Sequence, residues 1–261
     1  MSFKVLTPDE IEQFVELGYV RMPQVFARET AAAARDFLWK QIELAPDEPA
    51  GWTKPVVHLQ KSFEGSPFDE ALTPRFWDIC DDVMGAGRWK PIRWLGWWPV
   101  NFPGFAVGPW QVPQTGWHVD GQQFHHHINS PDQGLLPIFL FSDIEPGDGG
   151  TAISVGSHKV TARILAEAEP DGLDVHALAR AVAAQPRDEV IEATGQAGDV
   201  FVMHPFILHT RSMNTGSRVR FICNPCMCLH EPMNLNRDDT MEYSPVERAI
   251  VQALDAVVVS G

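Results

Sequence analysis

Two histidines and a carboxylate carry the strongest chemical signal in this chain: His118-Val119-Asp120, answered far downstream by His209. Two imidazoles and one carboxylate can hold a metal ion on one face and leave the opposite positions open, the arrangement by which non-heme Fe(II) oxygenases bind iron. Residues two apart on an extended strand project to the same face, so His118 and Asp120 can reach one ion together. His209 must then arrive from another strand. Beyond it, Arg220 offers a cation for an anionic co-substrate. An HxD pair by itself recurs by chance, and its weight comes from the residues around it.

The elements that must position these groups can be read in order. Thr7 is a good N-cap, Pro8 suits the first helical position and Glu10 completes a capping box. Ile11, Phe14 and Val15 then form an apolar stripe that Gly18 ends. A second helix is expected from about Glu29 to Leu44. Residues 45–74 mix Pro, Gly and charge without periodicity and read as long loops with short strands. From Trp89 onward, aromatic residues alternate with Gly and Pro, which suits strands and tight turns. The tryptophan-rich stretch 94–110 reads chiefly as core, with one or two members free to wall a pocket. Short apolar strands are expected around 135–141, 151–155, 199–204 and 218–226. Helices return at about 175–184 and, after Ser244-Pro245, to about 254. Helices first and many short strands afterwards predict one β-barrel core buttressed by helices.

Composition narrows the partners. The chain has 261 residues, is 44% hydrophobic and carries a formal net charge of -14. That charge repels phosphate backbones and argues against a nucleic-acid partner. The start, Met1-Ser2-Phe3-Lys4-Val5, lacks a signal-peptide stretch and no run is long enough to span a bilayer, so a cytoplasmic protein without a membrane partner is expected. Four cysteines (Cys80, Cys223, Cys226 and Cys228) give one CxxC and no second. They read as buried thiols acting as small apolar side chains.

The run from Gly198 through His209 to Asn214, Arg218 and Arg220 is joined by Gly149-Gly150-Thr151 and Gly156-Ser157-His158-Lys159. With the opening Leu6-Thr7-Pro8-Asp9-Glu10 and Gly18-Tyr19-Val20, these motifs resemble the phytanoyl-CoA dioxygenase (PhyH-like) family of Fe(II)/2-oxoglutarate-dependent oxygenases. The resemblance implies a mainly β fold with flanking helices and a double-stranded β-helix (jelly-roll, cupin-like) core. One domain would cover residues 1–261, with a helical part at about 1–45, the jelly-roll core at about 89–230 and a C-terminal helix at about 244–255. Fe(II) would be the cofactor, with 2-oxoglutarate and O2 as co-substrates. Carried over position by position, His118, Asp120 and His209 match the iron ligands. Asn214 and Arg220 match the asparagine and the arginine that binds 2-oxoglutarate, and Thr115 is a further candidate for a 2-oxoglutarate contact.

The implied reaction is hydroxylation of an unactivated C–H bond in a small-molecule metabolite, releasing succinate and CO2. Desaturation, epoxidation and cyclisation are alternatives at the same centre. Asp120 bears on the outcome, because related halogenases have a small residue there. From another class, a non-oxidative cupin-like isomerase, a metal-dependent hydrolase or a small-molecule binding protein could use the ligands without needing Arg220. The chain departs from the family at Val155, where proline is common, and at Arg211, where a small residue is frequent. Arg211, Trp117 and His127 are candidates for substrate contacts. His204 competes with His209 as a ligand, but only His209 has the downstream Asn and Arg at the family's spacing. His125-His126-His127 reads as pocket entrance or solvated loop, and His158 as structural. A monomer or homodimer is expected.

Overall fold

The computed structural model describes residues 3–258, so Met1 and Ser2 of the leader reading lie outside the described residues. Helix α1 (Pro8–Leu17) forms as its caps dictate: Thr7 N–H donates to Glu10 Oε2 at 2.8 Å and Glu10 N–H donates to Thr7 Oγ1 at 3.2 Å. Gly18 ends it in the left-handed region at φ 82°, and a Cβ there would collide with the His158 ring and Ile207. The chain can therefore turn at once into β1 (Tyr19–Met22). Helix α2 (Arg28–Gln41) buries Ala31, Ala34 and Leu38, and stops short of the expected residue 44 because Glu43 adopts φ 57°.

Residues 45–74 hold more order than expected. They contain β2 (Val56–Phe63), which pairs antiparallel with β3 (Leu95–Asn101) across a bulge between Leu59 and Ser62. Opposite that bulge Trp97 sits at φ 59°, a backbone state costly for a bulky residue. Helix α3 (Pro74–Met84) repeats the cap-and-proline signature, with the Thr73 hydroxyl accepting from Phe76 N–H.

The remaining strands are β4 (Leu136–Leu140), β5 (Ala152–Ser154), β6 (Val190–Glu192), β7 (Val200–Met203), β8 (His209–Thr210) and β9 (Ile222–Cys223). Two sheets result, ordered β1-β7-β4-β9 and β6-β5-β8, with the β2-β3 ribbon apart, and every pairing is antiparallel. β4 and β7 are buried along their whole length, as continuous apolar runs require. The strand expected over 218–226 is regular only at β9. Arg220 joins the ribbon through a single bridge to Asn101, with backbone N···O distances of 3.0 and 2.9 Å.

Helices α4 (Ser157–Glu167), α5 (Val175–Ala183) and α6 (Pro245–Val258) complete the order. Sequence patterning foresaw α5 and α6 but took the start of α4 for a turn. Among the described residues the α-helices span more of the chain than the strands, so the architecture is mixed rather than mainly β. One apolar cluster runs from Leu6 on the N-terminal arm to Ala253 on α6, and a second joins β4, β5 and β7 through Ile138, Ile153 and Phe201. No described helix is long and apolar enough to cross a membrane.

Candidate metal centre

His118 and His209 are brought face to face by backbone pairing. They form an antiparallel bridge in which each N–H donates to the other's carbonyl at 3.1 Å. Asp120 follows two residues after His118, and its Oδ1 lies 3.2 Å from His118 Nε2 and 3.5 Å from His209 Nε2. One ligand atom from each of the three lies within 4.8 Å of the others, the only such group among the described residues.

The second nitrogen of each ring sets its tautomer. Nδ1 of His118 donates to the Gly116 carbonyl at 2.7 Å, and Nδ1 of His209 donates to the Ile207 carbonyl at 3.2 Å. A carbonyl only accepts, so each neutral ring carries its proton on Nδ1 and turns the Nε2 lone pair toward Asp120. Asp120 is held in turn. Asn224 Nδ2 donates to Oδ2 at 3.0 Å, and Gln133 Nε2 donates to the Asp120 main-chain carbonyl. Such outer partners are what orient ligands in metal sites. Gly121 continues the chain at φ 123°, where a Cβ would collide with Phe124 and His126. Burial alone would raise the Asp120 carboxyl. When the rings are protonated and Nε2–H points at Oδ1, the charges and hydrogen bonds of His209 and His118 outweigh it and hold the group below the usual carboxylate range. His118 shows the converse: burial opposes its charge, yet the Asp120 carboxylate raises it.

The three side chains line a cavity of about 390 Å³ that takes walls from both sheets and the ribbon, including Ile138, Ile222, Thr151 and Pro99. At another wall lies Arg220, 1% exposed. Its guanidinium donates to the Pro99 carbonyl at 3.0 Å and reaches Thr151 Oγ1 at 3.5 Å, while its buried Nε has no hydrogen-bond partner. Burial, with Arg211 nearby, pushes its pKa down to about 9, against the pull of Glu192. A buried cation with an idle donor is costly unless an anion completes it.

The sequence profile of the phytanoyl-CoA dioxygenase (PhyH) family matches residues 14–222, which include His118, Asp120, His209 and Arg220. The chain belongs to the phytanoyl-CoA dioxygenase family. Its members are non-heme iron oxygenases that depend on 2-oxoglutarate. No curated protein matches the chain closely enough to add to this. Among solved structures, it is similar to the non-heme alpha-ketoglutarate-dependent carbocyclase SnoK from nogalamycin biosynthesis (TM-score 0.56, 17% identity, 88% of this chain and 87% of that one). HygX from Streptomyces hygroscopicus, solved with nickel and 2-oxoglutarate, aligns at TM-score 0.51 and 17% identity over 86% and 87%. Apo EctD from S. alaskensis aligns at TM-score 0.51 and 19% identity over 89% and 82%.

Other residues singled out by likeness to the PhyH family fall outside the 390 Å³ cavity. Asn214 is buried and spends its amide on the Arg218 carbonyl (2.7 Å) and the Asn101 carbonyl (3.4 Å). Since Asn101 is the bridge partner of Arg220, Asn214 braces the strand that presents the arginine. Thr115 is exposed and offers its main-chain carbonyl to the Thr210 hydroxyl at 3.3 Å. Trp117 is turned into the protein, donating to the Pro113 carbonyl at 2.8 Å under the Arg187 guanidinium. His127 pairs with Glu169 at 3.2 Å, His125 with the Asp171 carbonyl at 2.8 Å, and His126 is buried between Gly121 and Gln133. Arg211 does line the cavity.

Trp97 and Trp98 line the cavity, as expected for one or two members of the 94–110 stretch, whereas sequence reasoning overlooked Asn224, Gln133 and His58. Only their pairing across the fold brings them here. The thiols also need correcting: Cys80 and Cys223 are buried, but Cys226 and Cys228 are partly exposed. Both reach the Asp132 carbonyl, at 3.2 and 3.6 Å, and Cys226 lines the cavity.

Proposed function

We propose that this chain uses Fe(II), 2-oxoglutarate and O2 to hydroxylate an unactivated C–H bond of a small-molecule metabolite, releasing succinate and CO2. The reading rests on one juxtaposition: the His118, Asp120 and His209 ligand atoms share a cavity with the buried, incompletely paired Arg220. The residues fit the metal. Two neutral imidazoles and an oriented carboxylate make the open two-histidine, one-carboxylate set suited to Fe(II), and no thiolate takes part. Fe(II) with 2-oxoglutarate supplies the oxidation, as cofactors do in such enzymes.

The protein's own work is positioning. Arg220 holds the distal carboxylate of 2-oxoglutarate, assisted by the Thr151 hydroxyl, so that the keto-acid end faces the triad. Asn214 keeps the Arg220 strand in register, and Asn224 leaves Asp120 Oδ1 directed at the metal. Retention of Asp120 favours hydroxylation over halogenation, because no ligand position is vacated for halide. We read the β1-β7-β4-β9 and β6-β5-β8 sheets, which both wall the cavity, as halves of a double-stranded β-helix within a single catalytic domain. A non-oxidative cupin-like role would leave Arg220 without purpose.

Uncoupled turnover tests this reading: in air, wild-type protein with Fe(II) should convert 2-oxoglutarate to succinate. Asp120→Ala should not. Equal succinate release by the two proteins would remove the proposal.

A further inference from the structure

We propose that the outer side of the metal centre takes an amphiphilic monocarboxylate, with Arg211 binding the carboxylate and residues 106–113 with Met213 covering the apolar body. This rests on the function proposed above and names the substrate class of the same site. A second cavity, about 580 Å³, meets the first at His118, Thr210 and Arg211. Of the three ligand side chains, His118 is the most exposed, at 41% against 25% for Asp120 and 6% for His209. A substrate therefore reaches the metal past His118, from this second cavity.

The chemistry of its walls selects the substrate. Val107, Val112 and Met213 line it together and are exposed at 95%, 39% and 43%, and apolar side chains gathered on one exposed wall mark a place where a ligand or partner can bind. The chain has 34 acidic residues against 20 basic ones, yet no acid lines this cavity, and the only acid lining the first is Asp120, already engaged by His118, His209 and Asn224. Arg211 is its one guanidinium, projecting where the two cavities join, and has no acidic partner among the described residues. Arg220 cannot take the same role, since it is buried against Pro99 and Thr151. A lone guanidinium beside an apolar wall matches a single carboxylate, which it can grip with two parallel hydrogen bonds.

Calorimetry on protein loaded with Ni(II) and 2-oxoglutarate tests this with octanoate, octanamide and octyl phosphate as probes. Octanoate should bind at least about tenfold tighter than octanamide. Arg211→Ala should weaken octanoate by roughly 10- to 100-fold, the worth of a charged hydrogen bond, and leave octanamide unchanged. Arg211→Lys should recover part of the loss, and Met213→Ser should weaken octanoate and octanamide alike. Equal affinity for octanoate and octanamide, no octanoate binding, or an Arg211→Ala protein that binds octanoate as wild type does would each overturn the proposal. Tighter binding of octyl phosphate would overturn the carboxylate assignment. The 2-oxoglutarate titration of the Ni(II) protein is read separately. If 2-oxoglutarate binds and octanoate does not, only this inference fails. If 2-oxoglutarate does not bind, the proposed function fails, and the octanoate series still decides the role of Arg211.

Discussion

His118 and His209 pack with ring centroids 4.5 Å apart, and His158 and His204 pack almost as closely, at 4.9 Å. The second pair lies under α1 and α6, and among the described residues no carboxylate is hydrogen-bonded to either ring. His158 Nε2 donates to the Val15 carbonyl at 3.0 Å; His204 Nε2 donates to the Val246 carbonyl at 3.3 Å, and its Nδ1 accepts from Phe206 N–H at 3.1 Å. Burial pushes His158 down to about 4 and His204 well below its ordinary value. The first pair faces Asp120 and a cavity, and Asp120 raises His118 instead. Proximity and burial of imidazoles therefore do not make a metal site. A carboxylate held at a shared point, and room in front of it, do.

The contrast breaks most sharply at the distal histidines. His209→Ala should lower Fe(II) affinity by more than the roughly 10- to 100-fold that loss of an outer partner costs, and abolish succinate formation. His204→Ala should leave Fe(II) affinity unchanged and lower stability. Metal titration of both variants decides between the pairs, and equal losses would erase the distinction. Arg220→Ala should raise the 2-oxoglutarate concentration for half-maximal succinate release roughly 10- to 100-fold, the worth of a charged hydrogen bond. An unchanged requirement would displace Arg220 from the co-substrate end. Asn224→Ala should weaken Fe(II) binding toward the lower end of the outer-partner range, about tenfold.

The structural pair predicts a pH effect of defined sign. A native His158 near 4 stays neutral where the unfolded ring, near 6.5, is protonated. The unfolded state then binds more protons, so stability is complete above pH 6.5 and falls as pH drops toward 4. From pH 6.5 to pH 5 the loss from His158 is about 2 kcal/mol. Urea unfolding of wild type and His158→Gln at the two pH values measures it. The variant should lose this part of the slope, and identical slopes would contradict the neutral assignment.

What could be read in the sequence follows the range of the interactions. Helix α1 was readable because Thr7, Pro8, Glu10 and Gly18 act within about three turns of one another. Helix α3 has the same kind of start at Thr73-Pro74 and an apolar stripe at Phe76, Ile79, Cys80 and Val83, a local signal that the reading of the sequence passed over. Helix α4 was hidden because Gly156, in the left-handed region at φ 72°, lets it begin directly behind β5, without a side-chain cap. Among the site residues, His118 and Asp120 stand out through strand periodicity, and His209 and Arg220 through their mutual spacing. Asn224 and His58 had no local signal. Trp97 reaches the cavity wall because a bulge in the β2-β3 pairing re-aims it, a feature set by two strands separated by more than thirty residues.

The central claim is that His118, Asp120, His209 and Arg220 form one site for Fe(II) and 2-oxoglutarate. Anaerobic addition of Fe(II) and then 2-oxoglutarate tests it most directly, because a keto acid chelated to Fe(II) gives a visible charge-transfer band. The band should form in wild type and in His204→Ala, fail in His209→Ala, and need more 2-oxoglutarate in Arg220→Ala. A folded wild-type protein without the band, or a His209→Ala protein that retains it, would contradict the assignment.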